Sequence, residues 1–310
     1  MQCLQSIKEQ NLEGIEIVVL SDASPGKDDK GYSAKKIVRQ FSKEIRKSSI
    51  SIQYLENSIN RSLIETRRIL VEHAQGDYIF MLDSDDFLAP DSLSVLYDIA
   101  VKNNADIVQG DCVTLDPEGK NHIESKNEFH PYIGILEGRQ VFDECFCSGK
   151  YRPVINSKLI KRELYLRAYN EVPVIYTHMA EAICLYFFIA LFAEKYIGLN
   201  IPVYMYRIGV GITTKIIDDL KDWKTVCSAA SVFTAIYFWI ETKTKEDGRN
   251  PLTEEEMKGL QICAKASCIN SVELINWSVV ENLRPAAREM LCEYWGEEAV
   301  KNTEEFLKRK

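Results

Sequence analysis

Three carboxylates follow directly on a short apolar run in Tyr78-Ile79-Phe80-Met81-Leu82-Asp83-Ser84-Asp85-Asp86-Phe87. Carboxylates crowded in this way repel one another unless something positive neutralises them. A hard divalent cation does so through oxygen ligands and leaves room for substrate phosphates. In an open α/β sheet, ligands bind beyond the carboxyl ends of the strands. The cluster falls there if residues 78–82 form a strand. Asp-x-Asp alone is a common tripeptide, and an acidic turn capping the next helix would read the same way locally. The preceding strand, and a place after several β-α units, favour the ligand-binding reading. A second acidic turn, Ser21-Asp22-Ala23-Ser24-Pro25-Gly26, follows the β-branched run Ile15 to Leu20. Asp22 then shares the sheet edge with Asp83 and Asp85, where one carboxylate accepts from a ring or ribose donor. An Asx turn would need the same residues. Further along, Arg207 heads Ile208-Gly209-Val210-Gly211-Ile212-Thr213-Thr214-Lys215. A Gly-punctuated loop after a basic residue suits closure over a diphosphate, and it also suits a plain connector.

These residues must be held by elements that the pattern supplies. Residues 2–11, 33–46 and 61–74 carry helical spacing, and Pro90 opens another helix with Asp91 in its first turn. Ile15 to Leu20, Ile50 to Leu55, Tyr78 to Leu82 and Ala105 to Val113 read as strands. Helices alternating with short apolar strands predict a parallel, doubly wound sheet. From Asp116 to Pro131 the chain is polar and loop-like. Short helices are expected at 137–147 and 161–168, a buried helix at 179–193, and a strand from Ile201 to Arg207. Beyond residue 216 the pattern is helical throughout, over 216–243, 253–283 and 286–308. The expected domains are therefore 1–215 and 216–310.

Charge and cysteine content exclude several classes. Lys and Arg total 38 against 46 Asp and Glu, a net charge of −8. A nucleic-acid binder needs a basic face to displace counterions from phosphates, so that partner is not expected. The nine cysteines are an odd number with only Cys145-x-Cys147 closely spaced, and no histidine stands at zinc-ligand distance from a pair. Reduced thiols in a cytosolic protein are expected. The start, Met1 to Gln10, has no apolar core behind a basic end and does not read as a signal peptide. The longest apolar run, Ala182 to Ala193, is too short to cross a bilayer.

In sum, the chain resembles the family 2 glycosyltransferases of the GT-A fold. Ile15 to Ser24 looks like the family's nucleotide-binding strand and acidic turn. Thr66-Arg67-Arg68, with Glu72, Ala74 and Gly76-Asp77-Tyr78-Ile79, resembles the segment before its metal-binding strand. Leu82-Asp83-Ser84-Asp85-Asp86 resembles its D-x-D, Lys158 to Leu164 its "N-K-L-x-K-R-E-L", Met179-Ala180-Glu181 its acidic pair, and Tyr204-Met205-Tyr206-Arg207 its "Y-Y-Y-R" strand. The resemblance spans residues 1 to about 215. It implies a GT-A-like doubly wound α/β domain followed by a helical region. It also implies transfer of a sugar from a nucleotide diphosphate donor to an acceptor hydroxyl, by inversion, in bacterial polysaccharide or glycoconjugate synthesis.

By the same resemblance, Asp22 binds the donor base, Arg67 lies near the ribose or diphosphate, and Asp83 touches the ribose or the metal shell. Asp85 holds Mn²⁺ or Mg²⁺ on the diphosphate, Arg207 faces the donor, and Glu181 is the catalytic carboxylate. Two departures stand out. The second acid of the family's pair is Ala182, and a helical neighbour such as Glu181 points about 100° away from that position. Family members also open with an apolar strand, whereas this sequence starts at a helix, so the first strand is expected to be missing. Transfer is accordingly expected to be weak, and Ala182→Asp to raise it. The rival reading is a degenerate, non-catalytic sugar-nucleotide binder. A haloacid-dehalogenase-like phosphatase fits less well, because Asp86 and Phe87 follow the D-x-D and several β-α elements precede it. Asp22 and Arg67 are expected to serve the donor and not the fold. The acceptor is a saccharide or lipid-linked saccharide, and the location cytoplasmic, with a peripheral contact at the inner membrane face and the oligomeric state left open.

Overall fold

The computed structural model describes residues 2–28, 30–123, 129–209 and 216–309. Strand β1 (Glu16–Asp22) follows helix α1 (Gln2–Lys8) and pairs in parallel with β2 (Ser51–Asn57), joined by α2 (Ala34–Glu44). Ser33 caps α2 by accepting from the Lys36 N–H, which fixes where the crossover helix begins. The register sets Asp22 directly opposite Asn57 at the strand ends. Helix α3 (Leu63–His73) then leads to β3 (Tyr78–Phe80), and the acidic turn connects β3 to the two-residue β4 (Phe87–Leu88). Helix α4 (Ser92–Asn103) and strand β5 (Ile107–Leu115) complete the alternation expected from the pattern.

The expected all-parallel arrangement holds for β1–β2 and for β5 with β8 (Lys195–Arg207); the other pairs are antiparallel. The second sheet runs β3-β7-β5-β8-β4, with β6 (Gly134–Glu137) pairing β8. Strands β4, β6 and β7 (Lys158–Lys161) were not expected. Each has four residues or fewer and lacks the apolar alternation of a longer strand, so partners in the sheet define them. Gln109 pairs with Gly198 whereas Cys112 pairs with Tyr204, so extra residues of β8 bulge outward between them. The crossing is tight: a Cβ on Gly110 would meet Val203 Cγ1 at 2.4 Å. This irregularity carries Tyr204 and Arg207 to the end of the sheet that bears the acidic turn.

Helices α5 (Gln140–Phe146), α6 (Arg162–Glu171) and α7 (Glu181–Phe192) build the main core. Residues Cys184 to Ala190 of α7 are all buried, as its apolar run predicts. The expected helix over 216–243 is broken at Ser228 into α8 (Leu220–Cys227) and α9 (Ala229–Asp247). Val232, Phe233, Ile236, Trp239 and Ile240 of α9 lie in the main core, so packing runs across residue 215. Helices α10 (Glu254–Trp277), α11 (Arg284–Trp295) and α12 (Glu297–Lys308) close a second core with α8 around Trp223. A reciprocal Thr253–Glu256 capping box starts α10. Among the described residues, no helix is long and apolar enough to cross a membrane. All nine cysteines are free thiols.

Candidate active site

Asp22 ends β1 and is engaged by its own sheet edge. Its Oδ1 accepts from Asn57 Nδ2 at 2.7 Å, and the Arg61 N–H donates to both carboxylate oxygens at 3.0 and 3.1 Å. Asp22 thus holds the 58–61 turn in place. Tyr176 Oη donates to Asn60 Oδ1 of this turn at 3.4 Å. His178 Nε2 lies 3.0 Å from the same phenol, so this histidine is paired with Tyr176.

Arg67 lies on the buried face of α3 and reaches two carboxylates. Its Nη1 donates to Glu181 Oε1 and its Nη2 to Asp83 Oδ1 at 3.2 Å. Burial works against the guanidinium charge, but Glu181 and Asp83 more than offset this and raise its pKa. Arg67 therefore does stand beside Asp83, but as a buried hub. A buried pairing of this kind predicts that removing Arg67 costs stability, against the expectation that it serves the donor and not the fold. Glu181 is the first residue of α7, and Ala180 before it adopts left-handed backbone with φ 61°. Glu181 is itself buried, and Ala182 packs against the main core.

The acidic turn is wired residue by residue. Asp83 Oδ2 accepts from Asn156 Nδ2 at 3.1 Å, and the Asp83 N–H donates to Tyr204 Oη at 3.2 Å. Tyr204 in turn donates to Asp86 Oδ2 at 2.8 Å, while the Arg207 N–H donates to Asp86 Oδ1 at 2.8 Å. Arg207 Nε donates to the Asp85 carbonyl, so its guanidinium lies against the back of the turn. Cys3 on α1 points its thiol at the Asp83 carbonyl, at 3.7 Å. Burial, with nearby Asp86, Asp83 and Asp85 adding to it, pushes that thiol up to about 12 and keeps it protonated.

The three carboxylates differ in what they have left to offer. Burial pushes Asp86 up to about 7 against the bonds from Arg207 and Tyr204, and it faces the protein interior. Among the described residues no other residue's side chain hydrogen-bonds the Asp85 carboxylate, which is met only by its own backbone N–H. Burial raises its pKa and Asp83 adds to this, while backbone and Arg207 oppose it. A desolvated carboxylate next to another is the environment in which a cation binds. No three His, Cys, Asp or Glu side chains among the described residues are placed to hold a metal by themselves. The donor set therefore fits a cation that takes one or two carboxylates here and its other oxygens from a bound ligand. The Gly-punctuated segment after Arg207 lies outside the described residues from 210 to 215.

Asn57 and Asn156 were not singled out from the sequence, Asp86 stood there only as one of three like carboxylates, and Tyr204 only as part of a strand. A lone asparagine in an irregular segment carries no pattern. Its role appears only when β7 brings residue 156 beside β3.

A mixed α/β sheet with acidic and basic side chains gathered at its strand ends, extended by helices, is the architecture of the GT-A class of fold, and the likeness to Staphylococcus aureus TarS places the chain there. The chain belongs to glycosyl transferase family 2, whose profile matches residues 1–179. It is 26% identical over 220 residues to glycosyltransferase GlyA of Streptococcus pneumoniae, covering 69% of this chain and 29% of GlyA. Over 219 residues it is 25% identical to glycosyltransferase GlyG of the same organism, covering 67% of this chain and 65% of GlyG. The chain thus spans less than two thirds of the length of either relative. Among solved structures, residues 1–349 of Staphylococcus aureus TarS in complex with UDP-GlcNAc superpose with a TM-score of 0.53 at 14% identity, covering 99% of this chain and 87% of that one. That likeness is one of fold.

Proposed function

We propose that the chain binds a nucleotide diphosphate-sugar, with a divalent cation held between Asp85 and the diphosphate, and presents the sugar to an acceptor hydroxyl in bacterial polysaccharide synthesis. The observation that carries this reading is the half-buried Asp85, which among the described residues has no side-chain hydrogen-bond partner beside Asp83 at the strand end. When bound, the cation would offset the charge that builds on the departing diphosphate. Asp83 is held ready by Arg67 and Asn156, Arg207 supports the turn from behind, and Asp22 keeps the 58–61 turn against the donor side. TarS was solved with UDP-GlcNAc, which makes a uridine donor the first to try.

A second reading, donor binding without efficient transfer, is favoured by Glu181. An inverting transfer needs a base on the acceptor hydroxyl, and losing a positioned base costs about 10²–10⁴-fold in rate. Residue 182 is a methyl group, and Glu181 is buried with an oxygen held by Arg67. Glu181 is the carboxylate proposed for the base, and its Oε1 is held by Arg67.

Calorimetric titration with UDP and UDP-sugars, with and without Mn²⁺, tests the first reading. Metal-dependent binding that is lost in Asp85→Ala supports it, and metal-dependent binding unchanged in that variant refutes the assignment. Turnover abolished by Glu181→Gln with donor affinity retained would make Glu181 the base and dismiss the second reading.

A further inference from the structure

Asp83 is useful to a ligand only in one orientation, and the side chains that set it lie far away in sequence. Asn156 has an amide with two N–H donors, and both are spent, on Asp83 Oδ2 at 3.1 Å and on Tyr204 Oη at 3.1 Å. The Tyr204 phenol has one donor and two acceptor sites, and all three are used: it accepts from Asn156 and from the Asp83 N–H and donates to Asp86. Arg67 takes the other oxygen of Asp83. The Asp83 carboxylate is thus clamped from two sides, and among the described residues only Asn156 fixes the Oδ2 side.

Asn156 sits in an irregular stretch before β7, which by itself would not hold an amide in place. Two features hold it. The backbone is left-handed at Ser157, with φ 62°, and the Ser157 carbonyl accepts from the Gly110 N–H at 3.0 Å. Lys158, which is fully buried, donates from Nζ to the carbonyls of Val154 at 2.5 Å and Arg152 at 3.4 Å. Its ammonium also lies 4.7 Å from the centre of the Tyr186 ring. A buried ammonium is costly and is kept only where its donors are matched. Here its donors go to the carbonyls of the segment that delivers Asn156.

We propose that Asn156 is a positioning residue that acts through Asp83, with Tyr204 as its partner and Lys158 as the anchor of its loop. It orients the Asp83 carboxylate toward the donor. This rests on the donor-binding reading above.

The test is a double-mutant cycle on the full chain, read by calorimetric titration of UDP with and without Mn²⁺. Asn156→Ala is expected to weaken UDP binding about tenfold, the scale of a lost hydrogen bond to a charged group. In an Asp83→Ala background the same change should add less than about twofold, because residues acting through one group are not additive. Tyr204→Phe keeps the ring packed and should show the same dependence on Asp83, which provides the reading without a deleted side chain at 156. A purely structural Asn156 would lower the melting temperature equally in both backgrounds and leave UDP affinity alone. Unchanged affinity in Asn156→Ala, or losses that add in full with Asp83→Ala, overturn the inference while the donor-binding reading stands. Failure of the unaltered chain to bind UDP with or without Mn²⁺ overturns both.

Discussion

Arg67→Met is the change whose cost the structure specifies most closely. The Arg67 side chain is 7% exposed and forms salt bridges with Glu181, 10% exposed, and with Asp83, 40% exposed. The two halves of this pairing do not weigh the same. The Asp83 half is open to solvent and, like an exposed pair, contributes about 0–1 kcal/mol. The Glu181 half is buried, and Arg67 is its only salt bridge among the described residues. Breaking a buried pair by removing one partner costs about 3–5 kcal/mol, because an uncompensated charge stays behind. The variant is therefore expected to lose about 3–5 kcal/mol in urea denaturation. Adding Glu181→Leu removes the stranded charge, and the double variant should recover most of that loss, since apolar replacement of a buried pair is often close to neutral. A single-variant cost below about 1 kcal/mol, or no recovery in the double variant, would refute the assignment of Arg67 as a buried structural hub.

Asp22→Ala removes the acceptor for Asn57 Nδ2 and the Arg61 N–H. It should cost about 1–3 kcal/mol in chemical denaturation and weaken nucleotide affinity at the same time, so that full stability with reduced affinity would show the turn to be held by other means. Lys158→Met probes a pH effect. Burial lowers the Lys158 ammonium to about 7, whereas an unfolded lysine titrates near about 10.4. Between these values the unfolded chain holds a proton that the folded chain does not. Stability should then rise with pH from about 7 to about 10, by up to ~1.4 kcal/mol per pH unit, and the penalty is fully present below pH 7. A pH series of denaturation curves should show that increment in the unaltered chain and not in Lys158→Met; equal slopes would mean that the ammonium stays charged throughout.

The sequence by itself determined the class of fold and the acidic turn. Alternation of β-branched runs with amphipathic helices is a local property, and Asp22, Asp83 and Asp85 stand at strand ends because strand and turn chemistry are written within a few residues of each other. The all-apolar run of α7 likewise marked a buried helix in advance. The short strands β4, β6 and β7 could not be read, because their identity comes from backbone partners supplied by distant segments. The same reason hid the division of labour at the site. Three aspartates within four positions look alike in sequence, yet Asp86 turns inward to Tyr204, Asp83 is clamped by Arg67 and Asn156, and Asp85 has no side-chain hydrogen-bond partner among the described residues. That Arg67 also forms a core ion pair was hidden for a similar reason: Glu181 meets it across 114 positions of chain. Charge pairing and desolvation depend on distance in space, and only the packing of α3, α7 and β8 around one sheet end sets those distances.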